Sequence, residues 1–302
     1  MDYKKIEKIP GYDTWVSIEK LTKGWSVDTK YIVKDKDGKT FLLRITSMDL
    51  YEKKAKQFKV LKEVEKLGIN ASKPVSFGQL NESELYTILT WLEGEDAEVA
   101  VAKLSDEEAY KLGIEAGKVL KLLHKIPVDK SNELSWWEKY KTKMVRKINA
   151  LEECPIKIEG KDFLIEYMNK HMHLVENREQ TFTHADFHVG NLIVHDGKIG
   201  VIDFDKNVIA DPYDEFKPFI WNVRVSEYFQ TGLINGYFDN NVPEDFFPIL
   251  ALYAVEHLIS FIPWAMKFGK DQIEKGHQMQ RDVMKWYDNM NLIIPTWYKG
   301  VL

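Results

Sequence analysis

An aspartate and an asparagine stand five positions apart in the segment HADFHVGN, which runs from residue 184 to residue 191. A β-like run, LIV, follows directly, and then come a turn signal, HDGK, and a second β-like run, IGVIDFD. Strand-forming residues on both sides of a glycine turn predict a hairpin. The pattern therefore predicts a loop with Asp186 and Asn191, a hairpin, and Asp203 and Asp205 at the end of its second strand.

These residue types suit magnesium-dependent phosphoryl transfer. In that chemistry one carboxylate orients the attacking hydroxyl, while an amide oxygen and a second carboxylate hold Mg²⁺ against the nucleotide phosphates. The catalytic loop of protein kinases has the same spacing, H-x-D-x-x-x-x-N. Asp and Asn also cap turns, so the spacing alone would fit a structural role, and the hairpin before Asp203 favours function. We therefore predict that Asp186 is catalytic and that Asn191 and Asp203 bind Mg²⁺.

Composition and charge narrow the class of protein. The 302 residues are 44% hydrophobic and 29% charged, which is typical of a globular chain long enough to bury a core. The net charge of −5 argues against a nucleic-acid-binding protein, which is usually basic. The single cysteine, Cys154, forms neither an internal disulfide nor a cysteine-based zinc site, so a cytoplasmic location is expected. We also expect no signal peptide, because the first residues lack an apolar core.

One apolar stretch, from Phe246 to Met266, is about long enough to span a bilayer. It has Glu256 and His257 at its centre, and such a pair is costly in lipid. A buried helix is the better interpretation. Glu256 then needs a partner, for which His257 and Arg224 are candidates, or else it faces a cationic ligand.

The first part of the chain, up to residue 92, is predicted to be β-rich with one helix. Lys30–Lys34 and Thr40–Thr46 flank a turn with Gly38 and predict a hairpin. Apolar residues at Phe58, Leu61 and Val64 have helical spacing.

The rest of the chain is predicted to be mostly helical. Ser105 and Glu108 form a capping-box pattern at the start of one helix. Further helices are predicted at 135–151, 161–176, 212–237, 245–268 and 271–290. A short β-rich segment from Leu192 to Phe204 interrupts them.

Four segments resemble the aminoglycoside phosphotransferase family, in the choline kinase-like branch of the protein-kinase-like fold. HADFHVGNLIV…IGVIDFD matches the catalytic loop and its D-[FW]-[DE] sequence, and ADPYDEF resembles the acidic segment that follows. GIEAGKVLKLLHKI and EKLGINASKPVSFG resemble a helix ending in L-H and a helix-to-strand connection. The resemblance covers most of residues 20–215. It implies an α+β, bilobal fold, with a nucleotide-binding lobe at 1–92 and a catalytic and substrate-binding lobe at 93–302.

The resemblance also implies an activity. The chain is expected to transfer the γ-phosphoryl group of ATP or GTP, with Mg²⁺, to a hydroxyl group of an aminoglycoside. Related acceptors are choline, methylthioribose, homoserine, fructosamine and macrolides, and an inactive nucleotide-binding module is the further alternative. The expected partners are the nucleotide and a small, cationic substrate, with no nucleic acid and no membrane, and a monomeric state.

The nucleotide side of the resemblance is less regular. No P-loop motif occurs, and the turn with Gly24 and Ser26 lies where the family covers the nucleotide, although an ordinary hairpin turn is the alternative. Arg44 stands where the family has a lysine that contacts phosphates. Arginine can also contact phosphate, but through a planar guanidinium group and not through a compact ammonium charge.

The partner of that lysine in the family is a helix glutamate. Gln57 occupies its position here, and Glu52 is a possible substitute. An exposed strand-edge role for Arg44 is the structural alternative. The connector from Thr90 to Leu92 is expected to offer backbone groups to the purine.

Overall fold

The structure, a computed structural model, describes residues 3–22 and 28–302, and the chain divides into two compact units. The first unit is Met1–Glu95 with Gly200–Asp205, and the second is Asp96–Ile199 with Lys206–Leu302. The sequence-based division at residue 92 was contiguous, whereas the structure adds Gly200–Asp205 to the N-terminal unit. The backbone explains this, because the Val201 N–H donates to the Asn70 carbonyl at 2.9 Å.

The first unit contains a five-stranded antiparallel sheet with the order β1-β2-β3-β5-β4. Its strands are β1 Trp15–Leu21, β2 Thr29–Asp35, β3 Thr40–Ser47, β4 Pro74–Gln79 and β5 Glu84–Thr90. Leu43 and Ile45 point into the core of this unit. Because side chains alternate along a strand, Arg44 and Thr46 lie on the opposite face, where Lys30 is the direct cross-strand neighbour of Arg44.

One helix, α1 (Tyr51–Lys66), lies between β3 and β4. Its buried residues are Lys54, Gln57, Leu61 and Val64. The predicted apolar face began at Phe58, so the structure extends the inward face by one turn and makes that turn polar. A buried lysine needs a compensating charge, which marks this end of the helix for closer inspection.

The second unit is mostly helical, which confirms the α+β class with a small β-rich N-terminal part. Its helices are α2 Ala97–Val101, α3 Asp106–Leu123, α4 Trp136–Glu152, α5 Lys161–His171, α6 Phe219–Val225, α7 Glu227–Tyr237, α8 Phe246–Ala265 and α9 Lys270–Trp286. The capping box of Ser105 and Glu108 is present at the start of α3. The predicted helix over 212–237 is wrong as one element. Ser226 has an extended backbone with φ −158° and caps α7, so the helix is interrupted between α6 and α7.

Short strands complete the chain. They are β6 Glu95–Asp96, β7 Thr181–Thr183, β8 Leu192–His195, β9 Lys198–Val201 and β10 Val208–Ala210. β7 and β10 pair antiparallel, and the predicted hairpin is formed by β8 and β9. Single turns of 3-10 helix occur at Tyr3–Lys8, Tyr12–Thr14, Met48–Leu50, Met172–Val175, Val189–Asn191, Phe204–Lys206, Pro212–Phe216 and Met266–Phe268.

The apolar stretch forms helix α8. By length and composition alone the segment Phe246–Phe268 would be long enough to cross a membrane, but 78% of its most apolar window is buried inside the protein. The helix is apolar on all sides because it is surrounded by its own unit. Glu256 is therefore buried in the middle of this helix.

Helices α3 and α7 approach each other closely through glycines. Each helix has two glycines four residues apart, Gly113 and Gly117 on α3 and Gly232 and Gly236 on α7. A Cβ atom on any of them would overlap a backbone carbonyl oxygen of the facing helix. Backbone atoms in packed helices cannot move aside as flexible side chains do, so glycine is required by the contact.

We expect the Gly117→Ala and Gly236→Ala variants to be less stable than the wild type. Overpacking costs about 1–3 kcal/mol or more, which exceeds the gain of roughly 1 kcal/mol that alanine brings to a helix. Thermal unfolding measures the effect. The control is Lys118→Ala on the exposed side of α3. Equal melting temperatures for the wild type and the glycine variants would contradict the close contact.

Candidate active site

Asp186 lies in the loop between β7 and the 3-10 turn that leads into β8. Its Oδ2 accepts hydrogen bonds from Asn191 Nδ2 and Lys206 Nζ, each at 2.9 Å. The Asn191 amide also donates to the Asp186 backbone carbonyl at 2.9 Å. His188 Nε2 lies 3.6 Å from Oδ1. The two residues with kinase-like spacing are therefore in direct contact, and the carboxylate is held from several sides.

These neighbours keep Asp186 ionised. Burial would raise its pKa, but the contacts with His188 and Lys206 outweigh burial and hold the pKa of this carboxyl well below its usual range. The side chain is still 21% exposed. An ionised, oriented and accessible carboxylate is what a hydrogen-bond acceptor for an incoming hydroxyl requires. Lys206 has no counterpart in the sequence-based prediction, although it directly follows Asp205.

The loop is fixed by buried groups outside the motif. The His184 N–H donates to Glu215 Oε2 at 2.6 Å, and the Val189 N–H donates to Asn222 Oδ1 at 2.8 Å. Glu215 and Asn222 are both buried. Between these anchors Ala185 has a left-handed φ of 64°, which is unfavourable for an alanine. Sequence reasoning missed Glu215 and Asn222, because no spacing connects them with the loop.

The first unit contains a compact cluster of four charged side chains. Asp28 Oδ2 accepts from Arg44 Nε at 2.7 Å and from Lys54 Nζ at 2.9 Å. Asp205 Oδ2 lies 2.5 Å from Arg44 Nη2 and 3.2 Å from Lys54 Nζ. Two cations thus share two carboxylates. Arg44 is mostly buried in this cluster, which excludes the alternative of an exposed strand-edge arginine.

The helix partner of Arg44 differs from the expectation. Gln57 Nε2 donates to the backbone carbonyl of Asp205 at 3.0 Å, and Glu52 is exposed. The helix presents a cation, Lys54, to this cluster, and Asp28 supplies the opposite charge. The missed signal was the spacing of Lys54, Gln57, Leu61 and Val64, which extends the apolar face by one turn.

Asp203 and Lys30 border the same cluster in the first unit. Asp203 follows β9 with a left-handed φ of 61°. Burial and the positive charge of Arg44 lower the pKa of Lys30, and the negative charges of Asp203, Asp28 and Asp205 oppose that shift. The segment Asp203–Asp205 therefore lies among cations of the sheet, Lys30 and Arg44, and of helix α1, Lys54.

The remaining nucleotide-side candidates are placed as follows. Gly24 and Ser26 lie outside the described residues. The Thr90 N–H donates to the Lys73 carbonyl at 2.9 Å, so it is engaged within the sheet and not free for a purine. The Leu92 side chain packs against Gly200, where an added Cβ would lie 2.6 Å from Leu92 Cδ2. The connector thus packs on the strand that leads to Asp203.

The predicted metal ligands fit a magnesium ion by their chemistry. The NH₂ group of Asn191 donates to Asp186, which orients the amide and leaves its oxygen for a cation. In the first unit, Asp203 by itself also offers a carboxylate. Mg²⁺ prefers oxygen ligands and is usually held by one or two carboxylates together with substrate phosphates. Within the described part of the chain, no group of three or more His, Cys, Asp or Glu side chains is arranged to hold a metal ion.

Glu256, the buried acid of α8, pairs with three lysines, Lys143, Lys147 and Lys217. Arg224, one of its predicted partners, instead forms an ion pair with Asp282 at 2.6 Å. A partner was therefore required, as expected, but the lysines come from elements that the sequence did not connect with α8.

Comparisons with known proteins identify a family and a fold. The sequence model described as the phosphotransferase enzyme family matches residues 17–244. Among solved structures, the aminoglycoside phosphotransferase APH(4)-Ia aligns with a TM-score of 0.68 at 16% identity, over 94% of this chain and 98% of that one. A ternary complex of the same enzyme with ADP and hygromycin B aligns at 0.66 with 15% identity, over 93% and 97%.

Two further structures extend the comparison. The amicoumacin kinase hAmiN, in complex with AMP-PNP, Ca²⁺ and Ami, aligns with a TM-score of 0.66 at 14% identity, over 98% of this chain and 96% of that one. The gentamicin complex of APH(2'')-IIa aligns at 0.67 with 16% identity, over 97% and 99%. At these identities the likeness shows the fold, and the expected kinase-like architecture is confirmed.

We expect Asp28→Asn to lower the free energy of unfolding at neutral pH by on the order of 3 kcal/mol, because two cations lose a shared buried carboxylate. Burial raises the pKa of Asp28, but Arg44 and Lys54 lower it from 3.8 to about 2. This stabilisation is present above pH 3.8 and is lost as the pH falls towards 2.

Denaturant unfolding as a function of pH measures both effects. The matched control is Asp37→Asn, in the exposed turn between β2 and β3. The difference between wild type and Asp28→Asn should shrink as the pH falls from 4 to 2. A difference that stays constant over this range would show that the carboxylate of Asp28 does not stabilise the cluster.

Proposed function

The chain belongs to the phosphotransferase enzyme family and is an O-phosphotransferase, and we propose on that premise that it transfers the γ-phosphoryl group of ATP or GTP to a hydroxyl group of a small molecule. The observation that carries this proposal is the contact between Asp186 and Asn191. A carboxylate that is held by Asn191 and Lys206, and kept ionised, is suited to orient an attacking hydroxyl.

The proposed reaction balances with the groups at hand. The acceptor oxygen forms a bond to the γ-phosphorus while the bond between that phosphorus and the β,γ-bridging oxygen breaks. The nucleoside diphosphate leaves with the electron pair of the broken bond. The proton of the hydroxyl passes to Asp186 and then to solvent. Catalysis of this kind depends mostly on positioning and on compensation of charge.

Magnesium supplies charge neutralisation of the phosphates when it is bound. In our proposal the Asn191 amide oxygen and the Asp203 carboxylate hold it. Asp186 Oδ2 accepts from Asn191 and Lys206, so in our proposal Oδ1 is the oxygen that accepts from the hydroxyl.

In our proposal Arg44 and Lys54 bind the nucleotide phosphates. The free protein pairs both cations with Asp28 and Asp205. Because Asp28 is buried and Asp205 is 25% exposed, Asp205 is the partner that a phosphate group would replace. Asp28 then keeps both cations in position.

The second part of the proposal concerns the acceptor. The resemblance implies an aminoglycoside, and hygromycin B and gentamicin appear in complexes of proteins with this fold. The acid that was expected to attract a polycation, Glu256, is already compensated by lysines, so this argument for amino sugars loses its support. Release of ADP or GDP with gentamicin or hygromycin B, but not with neutral sugars, choline or macrolides, would support an aminoglycoside acceptor and a role in antibiotic resistance.

Methylthioribose, homoserine and fructosamine stay among the alternative acceptors. An inactive nucleotide-binding module is disfavoured, because Asp186, Asn191 and Asp203 are all present. A cytoplasmic location and a monomeric state remain proposals that rest on the single cysteine and on the resemblance.

We expect Asp186→Asn to retain nucleotide binding and to lower kcat by on the order of 10²–10⁴, because the amide accepts a proton poorly. Steady-state release of the nucleoside diphosphate measures kcat. Asp196→Asn, in the exposed turn of the β8–β9 hairpin, is the control and should behave as wild type. A near-normal kcat in Asp186→Asn would exclude the proposed role.

For the metal, we expect Asp203→Ala to raise the half-saturating Mg²⁺ concentration by on the order of tenfold or more, because a hard cation loses an oxygen ligand. Asn191→Ala should do the same and should lower kcat as well, since it also removes a hydrogen bond to Asp186. The exposed Asn149→Ala serves as the control. Unchanged metal titrations in both variants would place the metal elsewhere.

For the nucleotide, we expect Arg44→Ala and Lys54→Met each to raise the Kd of ATP or GTP by on the order of tenfold or more, because each removes a charged phosphate contact. Arg44→Lys should retain part of the affinity. Lys53→Met, on the exposed side of α1, is the matched control. Calorimetric titration decides the matter, and wild-type affinity in both Arg44→Ala and Lys54→Met would remove the two cations from the nucleotide site.

A further inference from the structure

Three lysine side chains converge on one buried carboxylate in the second unit. Glu256 Oε1 lies 2.7 Å from Lys147 Nζ, 3.1 Å from Lys143 Nζ and 3.3 Å from Lys217 Nζ. Glu256 itself is 0% exposed. Lys143 and Lys147 are one turn apart on α4, and Lys217 ends the 3-10 turn Pro212–Phe216.

The cations of this lysine cluster outnumber its acids. The second carboxylate is Asp214, whose Oδ1 lies 2.7 Å from Lys217 Nζ and 3.6 Å from Lys143 Nζ. Three ammonium groups therefore share two carboxylates. The lysine side chains keep 18–21% of their surface exposed, whereas Glu256 has none. A partly buried site with an excess of positive charge attracts an anion.

A series of ring contacts leads from the loop of Asp186 to His257, the residue next to Glu256. His188, which lies beside Asp186, has its ring 6.4 Å from Trp221, and the Trp221 ring is 6.1 Å from Phe261. The Phe261 ring in turn is 5.7 Å from that of His257. These rings connect the catalytic loop with the residue next to Glu256.

Electrostatics give the same placement. Burial and the positive charges of Lys217 and Lys147 lower the pKa of His257 to about 3, and the charges of Glu256 and Asp186 oppose the shift. His257 is therefore neutral at physiological pH and adds no charge to the cluster. The lysines and Asp186 thus both act on the charge state of His257.

We infer that Lys143, Lys147 and Lys217 form an anion-binding subsite for the acceptor, and that the acceptor is a small hydroxyl compound with a carboxylate or phosphate group. This inference rests on the proposed kinase activity. The lysines bind the anionic group, and Asp186 accepts the proton of the hydroxyl as its oxygen bonds to the γ-phosphorus and the nucleoside diphosphate leaves. Glu256 and Asp214 hold the three ammonium groups together against their mutual repulsion.

The same subsite opposes a polycation. The ammonium groups of an amino sugar would meet three lysines here, and both carboxylates of the cluster are already paired with them. Like charges brought together at an interface cost binding energy and reject the wrong partner. The acceptor that we infer is therefore anionic, whereas the aminoglycoside that the resemblance implies is cationic.

A binding experiment tests the subsite without knowledge of the acceptor. The protein is saturated with AMP-PNP and Mg²⁺, so that the phosphate-binding cations are occupied, and its melting temperature is measured in sodium sulfate and in sodium chloride at equal ionic strength. We expect sulfate to raise the melting temperature of the wild type and of Lys141→Met, which lies on the exposed side of α4. The rise should be smaller in a variant with both Lys147→Met and Lys217→Met, where only the general stabilising effect of sulfate is left, and Lys147→Arg should retain the full rise.

Kinetics test the acceptor class. Hydroxy acids and sugar phosphates are each compared with their uncharged amide or unphosphorylated counterpart, and gentamicin and hygromycin B are included. We expect turnover of the anionic acceptors in preference to their neutral counterparts. The comparison of hydroxy acids with sugar phosphates shows whether the subsite binds a carboxylate or a phosphate group. For the preferred acceptor, Lys147→Met or Lys217→Met should raise KM by on the order of tenfold, while Lys141→Met should leave KM unchanged.

Two results would overturn the inference. One is a sulfate effect that is absent from the wild type or equal in all variants. The other is turnover of an aminoglycoside together with no turnover of any anionic acceptor, which would leave the kinase activity standing. Failure of the protein to bind ATP and GTP would instead refute the proposed function, and the melting experiment without nucleotide would still report on the lysine cluster.

Discussion

A charge that is taken out of water must be met by an opposite charge, and this constraint shapes the chemically important parts of both units. In the first unit, Asp28 and Asp205 compensate Arg44 and Lys54. In the second, Lys206 compensates Asp186, and three lysines compensate Glu256. The residues that compensate are often not the ones that a motif contains, so the same motif permits different charge arrangements around it.

Compensation has different consequences around the two acids of the second unit, Asp186 and Glu256. Around Asp186 the neighbours are an amide and an exposed lysine, which hold an ionised carboxylate without covering it. Around Glu256 three lysines meet one carboxylate oxygen, Oε1, so the cations outnumber the acid. The loop that we propose to be catalytic is thus combined with a second cluster, and from the charge of that cluster we infer an acceptor other than a polycation.

Local sequence patterns predicted much of the fold because the signals were short-range. The hairpin after Asn191, the capping box at Ser105 and the hairpin around Gly38 each depend on residues close together in the chain. The helix predicted over 212–237 was wrong because Ser226, a capping residue inside an apolar run, was not recognised as a break. The contact of Asp186 with Asn191 was predictable from their spacing.

The rest of the site depends on contacts between residues far apart in sequence. Glu215 and Asn222 fix the catalytic loop, and Lys54 reaches Asp28 from another element. A single sequence does not reveal that these polar residues are buried, because Asp, Asn and Lys are usually exposed. The lysine partners of Glu256 were hidden for the same reason, although the need for a partner was clear from its apolar surroundings.

The most direct test of the central claim is phosphorus NMR of the purified protein with ATP or GTP, Mg²⁺ and a mixture of anionic and cationic hydroxyl compounds. The account predicts a new phosphomonoester signal that grows in step with the nucleoside diphosphate and that couples to protons on the acceptor's hydroxyl-bearing carbon. Bound nucleotide that remains intact in the presence of both acceptor classes, or release of pyrophosphate in place of the diphosphate, would contradict transfer of the γ-phosphoryl group to a hydroxyl.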